Sequence, residues 1–120
     1  MANDFKRFTV PSVNTSVGAS ASAVYTVPSS GSAMESIVIG ITLANKTSTG
    51  VTASVFLDNH DGSNDVYIVK DASIPAGSSL EVMAGNKIVV QGDGSANDVI
   101  RVSSGTASAI DATVSVLEDV

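Results

Sequence analysis

The sequence predicts an all-β fold: a single antiparallel β-sandwich, jelly-roll-like, of about eight short strands. Three observations predict it. Twenty-six of the 120 residues are Val or Ile and only four are Leu, and β-branched side chains lose rotamer freedom in helices but pack well on a pleated surface. Apolar residues alternate with polar ones at period two along most of the chain, and no window carries a helical period. Turn-forming clusters of Gly, Pro, Asn, Asp and Ser interrupt the apolar runs every ten residues or so.

In chain order, Phe8 and Val10 begin the alternation, and Pro11 ends that strand or confines it to an edge. Residues 1–15 read as an N-terminal arm or edge strand, and residues 16–120 as the sandwich. Ala19, Ala21, Ala23, Tyr25 and Val27 share one face of the next segment, and residues 28–32 form a loop. Ile37, Ile39, Ile41 and Leu43 then point one way, with Val38, Gly40, Thr42 and Ala44 opposite. Both faces are nearly apolar, so this is a central strand, and an Asp at Ile39 is expected to unfold the domain by burying an unpaired carboxylate. After the turn at residues 45–50, Val51, Ala53, Val55 and Leu57 align on one face. A polar loop covers residues 58–65, a short strand Val66 to Lys70, and a Pro-Gly turn residues 74–77. Short strands at Leu80–Val82 and Lys87–Gln91 flank a turn at Ala84, Gly85 and Asn86. A polar loop at residues 92–97 precedes strands Val99–Ser103 and Ile110–Leu117. The last of these carries Ile110, Ala112, Val114 and Val116 on one face.

One local echo stands out. Asp61-Gly62-Ser63-Asn64-Asp65 before Val66 resembles Asp93-Gly94-Ser95-Ala96-Asn97-Asp98 before Val99. The simplest account is one turn solution used twice, with Asp-Gly supplying the left-handed residue and a side chain bonding its own backbone.

Composition limits the chemistry. One domain of this length buries enough surface for a core without staples. With no Cys there is neither a disulfide nor a thiolate metal site. The net charge of −6 disfavours nucleic acid and anionic membranes as partners. No apolar run reaches the length of a membrane helix, and the N-terminus lacks the pattern of a secretory signal. Charged residues make up only 15% of the chain, which fits either surface covered in an assembly, because interface cores are depleted in charge, or a sandwich whose outer faces are rich in Thr and Ser.

Catalytic constellations are sparse. His60 is the only histidine and lies in a loop tip, and no nucleophile-elbow pattern occurs. Glu35, Glu81 and Glu118 are far apart in the chain, with nothing marking an acid–base pair. The chain therefore reads as non-enzymatic and without a cofactor. The loop carrying Asp58, Asp61 and Asp65 has the most oxygen donors and is the candidate Ca²⁺ site, although it departs from the EF-hand pattern. Asn14-Thr15-Ser16 and Asn45-Lys46-Thr47 match the glycosylation sequon by chance. Phe5, Lys6, Arg7 and Phe8 combine two aromatics with two cations and are the candidate docking residues, because aromatics and Arg are enriched at interface hot spots.

From Ser36 onward the order of features resembles small β-sandwich accessory virion proteins of tailed bacteriophages. The residues that carry the resemblance are Ile37 to Thr47, Val51 to Val55, Tyr67 to Glu81, Asp98 to Ser103 and Ala112 to Glu118. The Ile74-Pro75-Ala76-Gly77-Ser78-Ser79-Leu80 turn and the Val114-Ser115-Val116-Leu117-Glu118 strand are the most specific. The resemblance implies a structural protein of the virion, made in the host cytoplasm. Its foremost role would be capsid decoration (cement), in contact with the major capsid protein. A neck or tail component in contact with neck or tail proteins is the alternative role. As a decoration protein it is expected to be a closed homo-oligomer, with a trimer favoured because it fits local three-fold capsid sites. From the residues themselves, a Ca²⁺-dependent carbohydrate- or host-binding module is the remaining alternative.

Overall fold

The computed structural model describes residues 3–28, 33–83 and 87–119, and these form nine strands and one short 3₁₀ turn. In order these are β1 (Asn3–Val10), the 3₁₀ turn (Gly18–Ser20), β2 (Ser22–Thr26), β3 (Met34–Asn45), β4 (Val51–Asp58), β5 (Val66–Ile74), β6 (Ser79–Glu81), β7 (Ile88–Gly92), β8 (Val99–Ser104) and β9 (Ile110–Asp119). The expected loop at residues 29–32 and the turn at Ala84, Gly85 and Asn86 lie outside the described residues.

Two antiparallel sheets face each other. The first runs β1-β9-β3, with β6 and β7 both pairing the remaining edge of β3; the second runs β2-β8-β4-β5. The pairings β1·β9, β2·β8, β3 with β6 and β7, and β4·β5 are those of one long hairpin. Rolled up, that hairpin also brings β3 against β9 and β4 against β8. With β6 and β7 counted as halves of one interrupted strand, this is the eight-strand jelly-roll order. The registers place both described chain ends and the β4–β5 and β7–β8 loops at one end of the sandwich.

Between the sheets lies a continuous apolar core that includes Val24, Tyr25, Val38, Ile41, Leu43, Val55, Ile100, Val102, Ile110, Val114 and Val116. β9 follows its predicted face, with Ile110, Ala112, Val114 and Val116 all buried. β4 likewise buries Val51, Ala53 and Val55.

β3 departs from the prediction. Its register with β9 shifts between Val38 and Gly40, so Ile39 is an extra residue and the inward phase changes there. Val38, Ile41 and Leu43 are fully buried, whereas Ile39 is 36% exposed. Ile37 and Ile39 are therefore on the outer face, and the expectation that Ile39 is a core residue is corrected. A glycine within a strand marks such a bulge because it relaxes the backbone beside the extra residue.

Other boundaries also move. Residues 18–20 turn before the second strand begins, and a bulge between Ala23 and Tyr25 sends Val24 and Tyr25 inward together while Ala23 faces solvent. The fifth strand continues past Lys70 to Ile74 through a left-handed Asp71 at φ 51°. There the Asp71 N–H donates to Ser54 Oγ at 2.9 Å. The first strand starts five residues before Phe8, at Asn3, and pairs along its whole length with β9. Asn45 is buried at the opposite end from the chain ends. Its amide donates to the carbonyls of Thr49, Ile74 and Pro75, and its Oδ1 accepts from the Thr47 N–H and hydroxyl. That sequon asparagine is a structural hub with no room for a glycan.

Candidate functional site

The loop with the most carboxylates is held by its own chain. Asp58 Oδ2 accepts from Arg101 Nε at 2.8 Å, and Arg101 also donates to the Ala21 carbonyl. Asp61 Oδ1 accepts the N–H groups of Ser63 and Asn64 at 2.9 and 3.0 Å. The Ser63 N–H and the Asn64 side-chain amide lead in holding this carboxyl below the usual carboxylate range. Asp65 accepts the Asn59 N–H at 2.7 Å. Asp58, Asp61 and Asp65 thus face three different sets of protein donors. Among the described residues no group of three or more His, Cys, Asp or Glu is placed to hold a metal ion.

The echo between the two loops is real in geometry. Asp93 Oδ1 accepts the N–H groups of Ser95 and Ala96 at 2.9 and 2.8 Å, as Asp61 does for Ser63 and Asn64. Gly62 and Gly94 are both left-handed, at φ 79° and 96°. Asp98 then ties the loops together. It is buried and accepts from the His60 N–H at 2.7 Å, the His60 ring Nδ1 at 2.7 Å and the Gln91 N–H at 2.9 Å. The bond to Asp98 is the leading cause that raises the His60 pKa above its ordinary value. The arrangement gives His60 a structural role in crosslinking two loops.

The four candidate docking residues divide between two faces. Lys6 and Phe8 turn toward the seam between the sheets. Phe8 packs against Tyr25 with ring centroids 4.9 Å apart and planes tilted by 49°. Lys6 Nζ lies 3.0 Å from Oε1 of Glu118, whose side chain is 1% exposed. The other Glu118 oxygen accepts from Tyr25 Oη at 2.6 Å, and Tyr25 Oη lies 2.8 Å from Ser36 Oγ. Burial, reinforced by Glu118, pushes the Tyr25 pKa far up. Glu118 also raises that of Lys6. This buried network binds the first strand to the last.

Phe5 and Arg7 face outward. The registers align Phe5 with Leu117, Leu117 with Ile37, and Ile37 with Val89. Four apolar side chains therefore form one row across β1, β9, β3 and β7 on the outer face of the first sheet. Phe5 is 78% exposed and Val89 56% exposed. The bulged Ile39 adjoins the row, and Phe5, Arg7, Ile39 and Ser115 line a shallow depression beside it. The sequence places Ile37 and Ile39 on one face with Ile41 and Leu43 and expects Ile39 in the core, and nothing in it marks Val89 or the outward direction of Leu117. The Ile39-Gly40 step was the signal that β3 changes phase.

The molecule is thus an antiparallel jelly-roll β-sandwich with one apolar row open on an outer sheet face. Comparison with known protein families, curated proteins and solved structures finds no match to this chain.

Proposed function

We propose that the protein is a non-enzymatic structural component of a tailed-phage particle, a decoration protein that strengthens the capsid exterior through protein–protein contacts. The observation that carries this reading is the Phe5–Leu117–Ile37–Val89 row. A contiguous row of exposed apolar side chains on one sheet face is the kind of surface that marks an association site. The sequence resemblance supports the particle as its setting. The carboxylates of the most acidic loop are engaged by protein donors, which favours assembly over Ca²⁺-dependent binding. Mechanistically, burying such a face yields roughly 25 cal/mol per Å² of apolar area removed from water, and repeated copies add their contacts.

The test is the stoichiometry of this protein in purified particles, by quantitative mass spectrometry against the major capsid protein. The expected result is a copy number comparable with that of the capsid protein. A number matching a single ring would transfer the protein to the neck or tail. Absence from particles would overturn the reading.

A further inference from the structure

The edges of the two sheets differ in quality. β1 ends the first sheet, so its second edge pairs with no strand among the described residues. It runs for eight residues without a register shift against β9. The other edges are short or broken. β2 has five residues and a bulge between Ala23 and Tyr25. β5 is interrupted by the left-handed Asp71 and by register shifts against β4. β6 and β7 have three and five residues. Short or bulged edges resist a further strand, whereas a long regular edge is a template for one. Asp4, Phe5, Lys6 and Arg7 are all exposed on that edge strand.

We propose that β1 pairs antiparallel with β1 of a second copy across a two-fold axis at Phe5, joining the two first sheets into one. Such an axis is perpendicular to the sheet, and the residues it sets opposite each other share a face. It therefore passes beside one residue of β1, which meets itself. At Asp4, Lys6 or Arg7 the axis sets two like charges against each other, which destabilises a cross-strand pair. At Phe8, Lys6 faces Val10 and Arg7 faces Thr9, and the ladder stops at Pro11, which has no N–H to donate. Nearer either end fewer rows remain within β1. At Phe5, residues 3 to 7 of the two copies pair, Phe5 faces Phe5, and Asp4 of each copy faces Lys6 of the other. The Lys6 side chain stays 45% exposed beside its bond to Glu118, which leaves room for the second carboxylate. The charges on β1 thus select one register against the others.

The same axis puts the apolar rows of the two copies in line. Val89, Ile37, Leu117 and Phe5 of one copy continue into Phe5, Leu117, Ile37 and Val89 of the other, a strip twice as long on one continuous sheet. In strand addition, main-chain hydrogen bonds give affinity and the opposed side chains give specificity. Each copy carries a net charge of −6, and the screening length of ~8 Å at physiological ionic strength weakens that repulsion. The pairing goes beyond the particle role and does not depend on it, because it rests on the edge of β1 and not on what covers the apolar face.

Sedimentation equilibrium of the full chain at physiological salt tests the association, and introduced cysteines test the register, since the chain has none of its own. The wild type is expected to be a dimer at ~100 µM. Asp4→Lys is expected to weaken it about 10-fold by setting Lys against Lys6 on both sides of the axis, with the thermal midpoint of the monomer unchanged. Phe5→Cys is expected to form a disulfide-linked dimer on mild oxidation. Opposed Cα atoms in an antiparallel pair are ~4.5–5.5 Å apart, within the ~4.4–6.8 Å that a disulfide spans. Arg7→Cys, exposed on the same face, is expected to stay unlinked, because the two copies of residue 7 are offset by four residues, ~14 Å along the strands. A monomer at ~100 µM, linkage of Arg7→Cys as fast as of Phe5→Cys, or a dimer indifferent to Asp4→Lys would overturn the pairing. The copy number in particles is read separately. A monomer present in particles loses the pairing alone, whereas a dimer absent from particles loses the particle role alone.

Discussion

At the residue scale, two adjacent side chains in β3 have opposite fates. Val38 is fully buried while Ile39 is 36% exposed. An Asp at Val38 would carry an unpaired charge into the core, which the fold does not tolerate. Val38→Asp is expected to abolish the cooperative unfolding transition. Ile39→Asp is expected to remain within about 1 kcal/mol of the parent. Urea denaturation followed by circular dichroism checks both, and equal losses would contradict the bulge. Glu118 supplies a second contrast. Glu118→Ala leaves the buried Tyr25 hydroxyl without its carboxylate and opens a void, with an expected loss of roughly 2–4 kcal/mol. Lys6→Met removes an exposed cation whose contribution water screens and is expected to destabilise less. The same denaturation series ranks the two.

At the scale of elements, the two twin loops depend on Asp98, and their crosslink titrates. The His60 pKa is raised by its bond to Asp98. A raised folded-state pKa means that the protonated imidazole stabilises the fold. That contribution is complete below the unfolded value of ~6.5 and disappears as pH rises through the folded value. The thermal midpoint is therefore expected to fall as pH is raised from below ~6.5 through the folded value, and His60→Gln to flatten the profile. Asp61 and Asp93 act with the opposite sign, because backbone N–H groups lower their pKa values. Their contributions are present above the ordinary carboxylate value of ~3.9 and are lost as pH falls through the folded values. Differential scanning calorimetry across this range measures both limbs. A midpoint that rises with pH above neutrality would contradict the His60–Asp98 tie.

At the scale of the whole molecule, β1 pairs with β9 along its full length, so residues at opposite ends of the chain, such as Phe5 and Leu117, must meet before the first sheet is complete. Closing so long a loop costs chain entropy before any contact compensates. Refolding is therefore expected in the ~millisecond-to-second range characteristic of non-local β topologies. Stopped-flow fluorescence of Tyr25 and Tyr67 measures it, and microsecond refolding would contradict the pairing. Deleting residues 1–10 is expected to expose the edge of β9 and leave Glu118 without Lys6, producing an aggregation-prone protein; size-exclusion chromatography reads this directly.

Local chemistry carried the fold class. The Val and Ile excess, the period-two alternation and the turn clusters each act over a few residues, so they were legible in the sequence as an all-β sandwich and as a buried face of β9. The twin Asp-Gly turns were legible for the same reason, since each closes on its own backbone. The candidate site was only half legible. Phe5 and Arg7 stood out by residue type. However, which of Phe5, Lys6, Arg7 and Phe8 faces outward depended on pairing with β9, a strand more than a hundred residues away. The open row of Phe5, Leu117, Ile37 and Val89 exists only because four strands fall into one register and because the bulge at Ile39 shifts the phase of β3. Register is a property of the assembled sheet, in which a one-residue offset exchanges the core face for the solvent face. Tertiary structure alone therefore decided which apolar residues of β1, β3 and β7 became core and which became surface.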